Sequence, residues 1–98
     1  MSERLSQVEI SKKIKEIDNW VLRGESIQKE WKFKDFRKAM IFINKIANLA
    51  EKHDHHPELY NVYNKVRLTF STHEVGGLTD KDFKIAKEVD GLINLQEF

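Results

Sequence analysis

The stretch DFRKAMIFINKIANLAEKHDHHPELYNVYNKVRLTFS, residues 35–71, decides the architecture because its period changes once, at Pro57. Before the proline, Phe36, Ala39, Met40, Ile43, Ile46, Ala47 and Ala50 recur at three- and four-residue steps, the spacing of one helical face. Asp35 is placed to cap that helix. Phe42 and Leu49 widen the apolar arc, enough to face both a sheet and another subunit. A residue before proline is pushed out of the α region, so the helix ends before Pro57 and leaves His55 and His56 in its exit. After the proline the period becomes two. Residues 59–63 and 66–71 are strand-like and joined around Asn64, with Val66, Leu68 and Phe70 alternating with Arg67, Thr69 and Ser71.

Upstream, Ser6 and Glu9 have capping-box spacing, with Leu5 placed as the hydrophobic staple. Val8, Ile10, Ile14 and Ile17 give a first helix of about three turns, closed by Asp18-Asn19. Trp20 to Leu22 form a strand, Arg23 to Ser26 a turn. Ile27, Trp31 and Phe33 then alternate with polar neighbours, Lys29 being the exception. Trp20, Trp31 and Phe36 are assigned to the core. Downstream, Gly76-Gly77 lies in a loop, and Thr79 opens a last helix with capping-box spacing to Asp82. Phe83, Ala86, Val89, Asp90 and Ile93 follow at helical steps. The order is α-β-β-α-β-β-α. It predicts an α+β fold, a four-stranded antiparallel sheet with three helices packed on one face.

A chain of 98 residues makes one domain, 1–98, and is too short for two. Lys plus Arg is 17 against 16 for Asp plus Glu, a formal charge of +1, which argues against a dedicated nucleic-acid binder. The absence of cysteine removes disulfide scaffolds, thiolate zinc sites and Cys nucleophiles, and is compatible with a reducing compartment. No apolar run is long enough for a transmembrane helix or a signal-peptide core, so no membrane partner is expected.

The chemistry lies in the histidines. Three of the four, His53, His55 and His56, fall in the helix exit, and the fourth is His73. If the hairpin turn is Asn64-Lys65, His73 falls opposite His56. If it is the three residues 63–65, His73 falls opposite His55 and puts Tyr60 and Val62 on the face of Val66, Leu68 and Phe70. Either register brings distant histidines together at one end of the hairpin. Imidazoles titrate near neutral pH and can supply a general acid and a general base. Two other readings stand beside this one. Histidines at a helix C-terminus are favoured by the dipole and need be no more than solvated. His53, His55 and His73, with Glu51 or Asp54, also have the donor types of a zinc site.

The segment Glu51-Lys52-His53-Asp54-His55-His56-Pro57-Glu58, followed by Asn61-Val62-Tyr63-Asn64-Lys65-Val66, resembles pterin-4a-carbinolamine dehydratase. So do Ser71-Thr72-His73-Glu74, Gly77-Leu78-Thr79 and Asp82, and, upstream, Phe33-Lys34-Asp35-Phe36 with Ala39. The resemblance covers about residues 5 to 95. It implies loss of water from 4a-hydroxytetrahydropterin to give quinonoid dihydropterin, in tetrahydrobiopterin recycling in the cytoplasm. It implies no metal or other cofactor, His55 and His73 as an acid/base pair, and His56 as a group that orients the pterin and shares in proton transfer. Glu51, Asp54, Pro57 and Asp82 match or adjoin positions lining the family's site, which implies that Asp82 both caps the last helix and orients a histidine. Leu59 stands where the mammalian pattern has tryptophan, with Tyr60 as the candidate replacement for that aromatic wall. The family also implies a homodimer built by joining sheets, or a homotetramer through the second helix. The alternative on the same scaffold is a non-catalytic interaction or assembly factor acting through that helix.

Overall fold

The computed structural model describes residues 3–93. Helix α1 (Gln7–Lys13) is followed by a 3-10 turn (Ile14–Glu16), strands β1 (Val21–Arg23) and β2 (Ser26–Lys32), and helix α2 (Phe36–His53). Strands β3 (Glu58–Val62) and β4 (Lys65–Phe70), a 3-10 turn (His73–Val75) and helix α3 (Asp80–Gly91) complete the chain. The four strands form one antiparallel sheet in the order β1-β2-β4-β3. The expected α+β class and element order hold.

Caps set the helix starts. Ser6 Oγ accepts from the Glu9 amide while Glu9 accepts from the Ser6 amide, a closed capping box. Asp35 accepts from the Lys38 amide at 2.8 Å and opens α2. Thr79 and Asp82 form the second capping box, at α3. The first strand starts one residue later than the sequence implies, at Val21. Trp20 lies before β1 and turns inward, buried against Trp31 and Phe70.

The central strands alternate as their period requires. Val66, Leu68 and Phe70 are fully buried beneath the helices with Ile27, while Arg67 and Thr69 face the other way. Register places Lys29 on the buried face, opposite Leu68. Its Nζ donates to the Asp18 carbonyl and to Asp90 Oδ1, both at 2.8 Å, and lies over the rings of Trp20 and Trp31. The exception in the alternation is thus a lysine paired beneath the helices, its charge met by α3.

Helix α2 is rotated from the expected arc. Ala39, Phe42, Ile46 and Ala50 are the buried residues, with Ile43 and Leu49 partly buried beside them. Phe42 sits at the centre, its ring 4.9 Å from Trp31 and 5.0 Å from Phe33. Phe36, expected in the core, is 49% exposed. It is the first helical residue and lies outside the stripe that meets the sheet.

The β3–β4 hairpin takes neither expected register. The pairs Leu59↔Leu68 and Val62↔Lys65 make Tyr63-Asn64 the two-residue turn. Tyr63 adopts φ +50°, the sign such tight turns require, although an aromatic residue pays steric strain there. The one-residue slip reverses the faces of β3. Tyr60 and Val62 lie on the open face, opposite Arg67 and Lys65, and the Arg67 guanidinium covers the Tyr60 ring at 4.3 Å. Regular pairing in this hairpin ends at Glu58↔Thr69, so no strand pairing places His73 across from His55 or His56.

Candidate active site

The histidine segment takes its shape from how α2 ends. Asp54 adopts the left-handed conformation, φ 47° and ψ 46°. Its amide donates to the Glu51 carbonyl, and the His55 amide donates to the Ala50 carbonyl at 3.0 Å. This is the paired closure of a Schellman motif, with aspartate tolerated at the left-handed position. The reversal drives the His55 side chain into the molecule. Pro57 then starts the extended path into β3.

His55 is buried, 9% exposed, with its ring stacked on Phe70 at 5.9 Å and 12° between planes. Its Nε2 lies 2.6 Å from Asp82 Oδ1. Asp82 is wholly buried on the first turn of α3, where the helix dipole favours a carboxylate. Its Oδ2 accepts from Thr72 Oγ1 at 2.8 Å and from the Thr79 amide at 3.0 Å. These contacts replace the hydration that burial removes. A carboxylate only accepts, so His55 donates from Nε2, and the neutral ring keeps its lone pair on Nδ1. Burial and the carboxylate together give an imidazole of fixed orientation and tautomer, suited to proton transfer at one known nitrogen.

The remaining histidines have different surroundings. His56 is exposed, its Nε2 against Glu51 Oε2 across the exit of α2. His73 is exposed and directly follows Thr72, the residue that donates to Asp82; it opens the 3-10 turn between β4 and α3. The Thr72–Gly77 bridge closes the base of that turn. His53 turns to α3, its Nε2 2.7 Å from Glu88 Oε2, although the nitrogen is not aligned for a hydrogen bond. Three histidines within four residues therefore pair with three different carboxylates, on α3, on α3 again and on α2. Among the described residues no group of three His, Asp or Glu side chains is placed to hold a metal ion.

Glu51 and Asp54 are exposed at the end of α2, Pro57 is half-buried, and Leu59 and Tyr60 are each 43% exposed on β3. Leu59 lies on the face of Leu68, and Tyr60 lies on the opposite face beneath Arg67. Sequence reading missed Thr72 as a site residue. The signal available was its place between the Phe70 strand and the Thr79 cap, which only acquires meaning once β4 and α3 meet. No helix among the described residues is long and apolar enough to cross a membrane.

Comparison with known proteins places the chain as a whole. Residues 3–92 match the family model described as pterin 4 alpha carbinolamine dehydratase. A Nostoc sp. relative with a provisional pterin-4-alpha-carbinolamine dehydratase name is 44% identical, over 91% of this chain and 96% of its own. A Sulfolobus acidocaldarius relative with the same provisional name is 40% identical, over 89% of this chain and 96% of its own. The crystal structure of a transcriptional coactivator/pterin dehydratase from Brucella melitensis is similar, with a TM-score of 0.89 and 38% identity. It covers 94% of this chain and 100% of that one. A pterin dehydratase-like protein identified as a RuBisCO assembly factor in the alpha-carboxysome shares the fold alone. Its TM-score is 0.65 at 22% identity, covering 76% of this chain and 88% of that one. With residues 3–92 matched by the family model and relatives at 40–44% identity along most of their length, the chain belongs to the pterin 4 alpha carbinolamine dehydratase family.

Proposed function

We propose that this protein dehydrates 4a-hydroxytetrahydropterin to quinonoid dihydropterin and water by histidine acid/base chemistry, in tetrahydrobiopterin recycling. The observation that carries the reading is the buried His55–Asp82 pair, in a chain of this family. The C4a–O bond breaks as a proton reaches the departing hydroxyl, and the N5 lone pair supplies the electrons. N5 then loses its proton, leaving the C4a–N5 double bond and one water. His55, with a free lone pair on Nδ1, suits the base. Exposed His73 in its imidazolium form suits the acid, and His56, tied to Glu51, suits the group that orients the pterin. Glu51, Asp54, Pro57, Leu59, Tyr60 and Asp82 complete the proposed site. With the arginine over its ring and its place on the open sheet face, Tyr60 is a poorer substitute for the missing tryptophan wall than Leu59 itself. The proposed setting is the cytoplasm and the proposed assembly a homodimer or homotetramer.

The test is dehydration of freshly generated 4a-hydroxytetrahydropterin. Wild-type protein accelerates it, and His55→Ala or His73→Ala lowers the rate by roughly 10²–10⁴. No acceleration by wild-type protein removes the reading. A second reading, a non-catalytic assembly factor, draws on the apolar groove of about 490 Å³ lined by Asp35, Phe36, Arg37, Met40 and Tyr63. It is favoured if wild-type protein lacks activity while Met40 substitutions abolish capture of a partner.

A further inference from the structure

Asp82 is held by more than its histidine. Thr72 Oγ1 lies 2.8 Å from Asp82 Oδ2 and 2.9 Å from Thr79 Oγ1, and Thr79 Oγ1 accepts from the Lys81 amide. The direction of every proton follows. The carboxylate only accepts, so the single Thr72 hydroxyl proton goes to Oδ2. Thr72 must then accept from Thr79, whose own oxygen is served by the Lys81 amide. The chain runs from the Lys81 amide through Thr79 and Thr72 to Asp82, and His55 closes it from the other side. Thr72, Thr79 and Asp82 are 3%, 0% and 0% exposed, so a member left without its partner sits in a low-dielectric interior where that loss is costly.

We infer that Thr72 is a positioning residue: through Asp82 its hydroxyl fixes the orientation and the Nε2–H tautomer of His55. The inference rests on the proposed role of His55 for its catalytic consequence, but its structural content stands apart from any pterin. Without the Thr72 hydroxyl, Asp82 Oδ2 keeps only the Thr79 amide, and Thr79 Oγ1 loses the acceptor of its proton. The freed carboxylate turns about its side-chain bonds, and the ring it holds loses its fixed tautomer. Because β4 ends at Phe70 and α3 is capped by Thr79, the same two hydroxyls join the sheet to the helix that carries Asp82.

The test compares wild-type protein with Thr72→Val, which keeps the shape and removes the hydroxyl, and Thr72→Ser, which restores it. Ring ¹⁵N signals of His55, identified by their loss in His55→Gln, are read without substrate. At a pH where the ring is neutral, wild-type protein shows protonated Nε2, unprotonated Nδ1 and a slowly exchanging Nε2 proton. Thr72→Val shows mixed tautomers and fast exchange, and Thr72→Ser returns the wild-type pattern. In turnover, Thr72→Val lowers kcat by about 10–100-fold, the usual scale for a partner one step from the chemistry, with KM nearly unchanged. Unchanged ring signals and kcat in Thr72→Val overturn the inference. So does a wild-type His55 protonated on Nδ1 and not on Nε2, a result obtained even if Thr72→Val fails to fold. Altered ring signals in Thr72→Val alongside an inactive wild-type protein uphold the positioning role and reject the dehydratase reading.

Discussion

His55 Nε2 and Asp82 Oδ1 lie 2.6 Å apart, a contact between residues 27 positions apart that joins the exit of α2 to the first turn of α3. Both partners are buried, and Asp82 also accepts from Thr72 and Thr79. Its carboxylate is therefore both the N3 member of a helix cap and the orienting group for an imidazole. Neither duty is separable from the other by position alone.

Asp82→Asn separates them by chemistry. An amide keeps the shape but places an NH₂ where a second acceptor oxygen stood, against either the Nε2–H of His55 or the Thr72 and Thr79 donors. The expected loss in kcat is up to about 10⁴, the drop seen when an imidazole is held in the wrong tautomer. Steady-state dehydration kinetics on folded protein check it, and an unaltered kcat rejects the orienting role.

His53 should behave otherwise. Its partner is Glu88 on α3, and its side chain is 20% exposed. His53→Ala should leave kcat near the wild-type value and cost about 0–1 kcal/mol of stability, as partly exposed ion pairs do. Urea denaturation and the dehydration assay read the two numbers. A collapse of activity would return His53 to the site.

The rotation of α2 is testable by stability. Phe42 is fully buried between Trp31 and Phe33, whereas Phe36 is half exposed. Phe42→Ala should cost about 3–5 kcal/mol, from lost transfer energy and the cavity left behind. Phe36→Ala should cost within about 0.5 kcal/mol when measured on the isolated protomer, as surface substitutions do. Equal costs in denaturant titrations would place both residues in the core and contradict the observed rotation.

Acid should loosen α1 at its start. The backbone hydrogen bond from Ser6, then the one from its side chain, holds the Glu9 carboxyl below its ordinary value of 4.5. A depressed folded value means that the contribution is present above the unfolded value and lost as pH falls through the folded one. Amide protection in the first turn of α1, corrected for the intrinsic exchange rate at each pH, should therefore fall below about pH 4.5 in wild-type protein. Glu9→Gln should remove that pH dependence, and an identical acid response in the variant would reject the capping box as its cause.

Much of this was legible from local rules. Capping residues, the period change at Pro57 and the alternation of β4 depend on neighbours a few positions away, so Ser6, Asp35, Thr79 and Val66 to Phe70 could be placed from the chain alone. The hairpin register could not. Asn64-Lys65 is as reasonable a turn as Tyr63-Asn64 by composition, and the observed choice puts a tyrosine at positive φ. Pairing of β4 with β2 on one side and β3 on the other decides it, because a single slip would change which β3 side chains lie beneath the helices. Likewise, amphipathic spacing marks α2 as a helix with a wide arc, but which part of the arc faces the sheet is set by Trp31 and Phe33 against Phe42.

Fold class, helix caps, family resemblance, the list of histidines and an orienting role for Asp82 can be read along the chain. Which histidine meets which carboxylate is settled in the folded molecule. His53, His55 and His56 are near neighbours in the chain, yet a left-handed Asp54 and the packing of α3 send them to Glu88, Asp82 and Glu51. The physical reason is range: caps and periods are local properties of the backbone, whereas an imidazole's tautomer depends on a carboxylate and two hydroxyls that only folding brings to it.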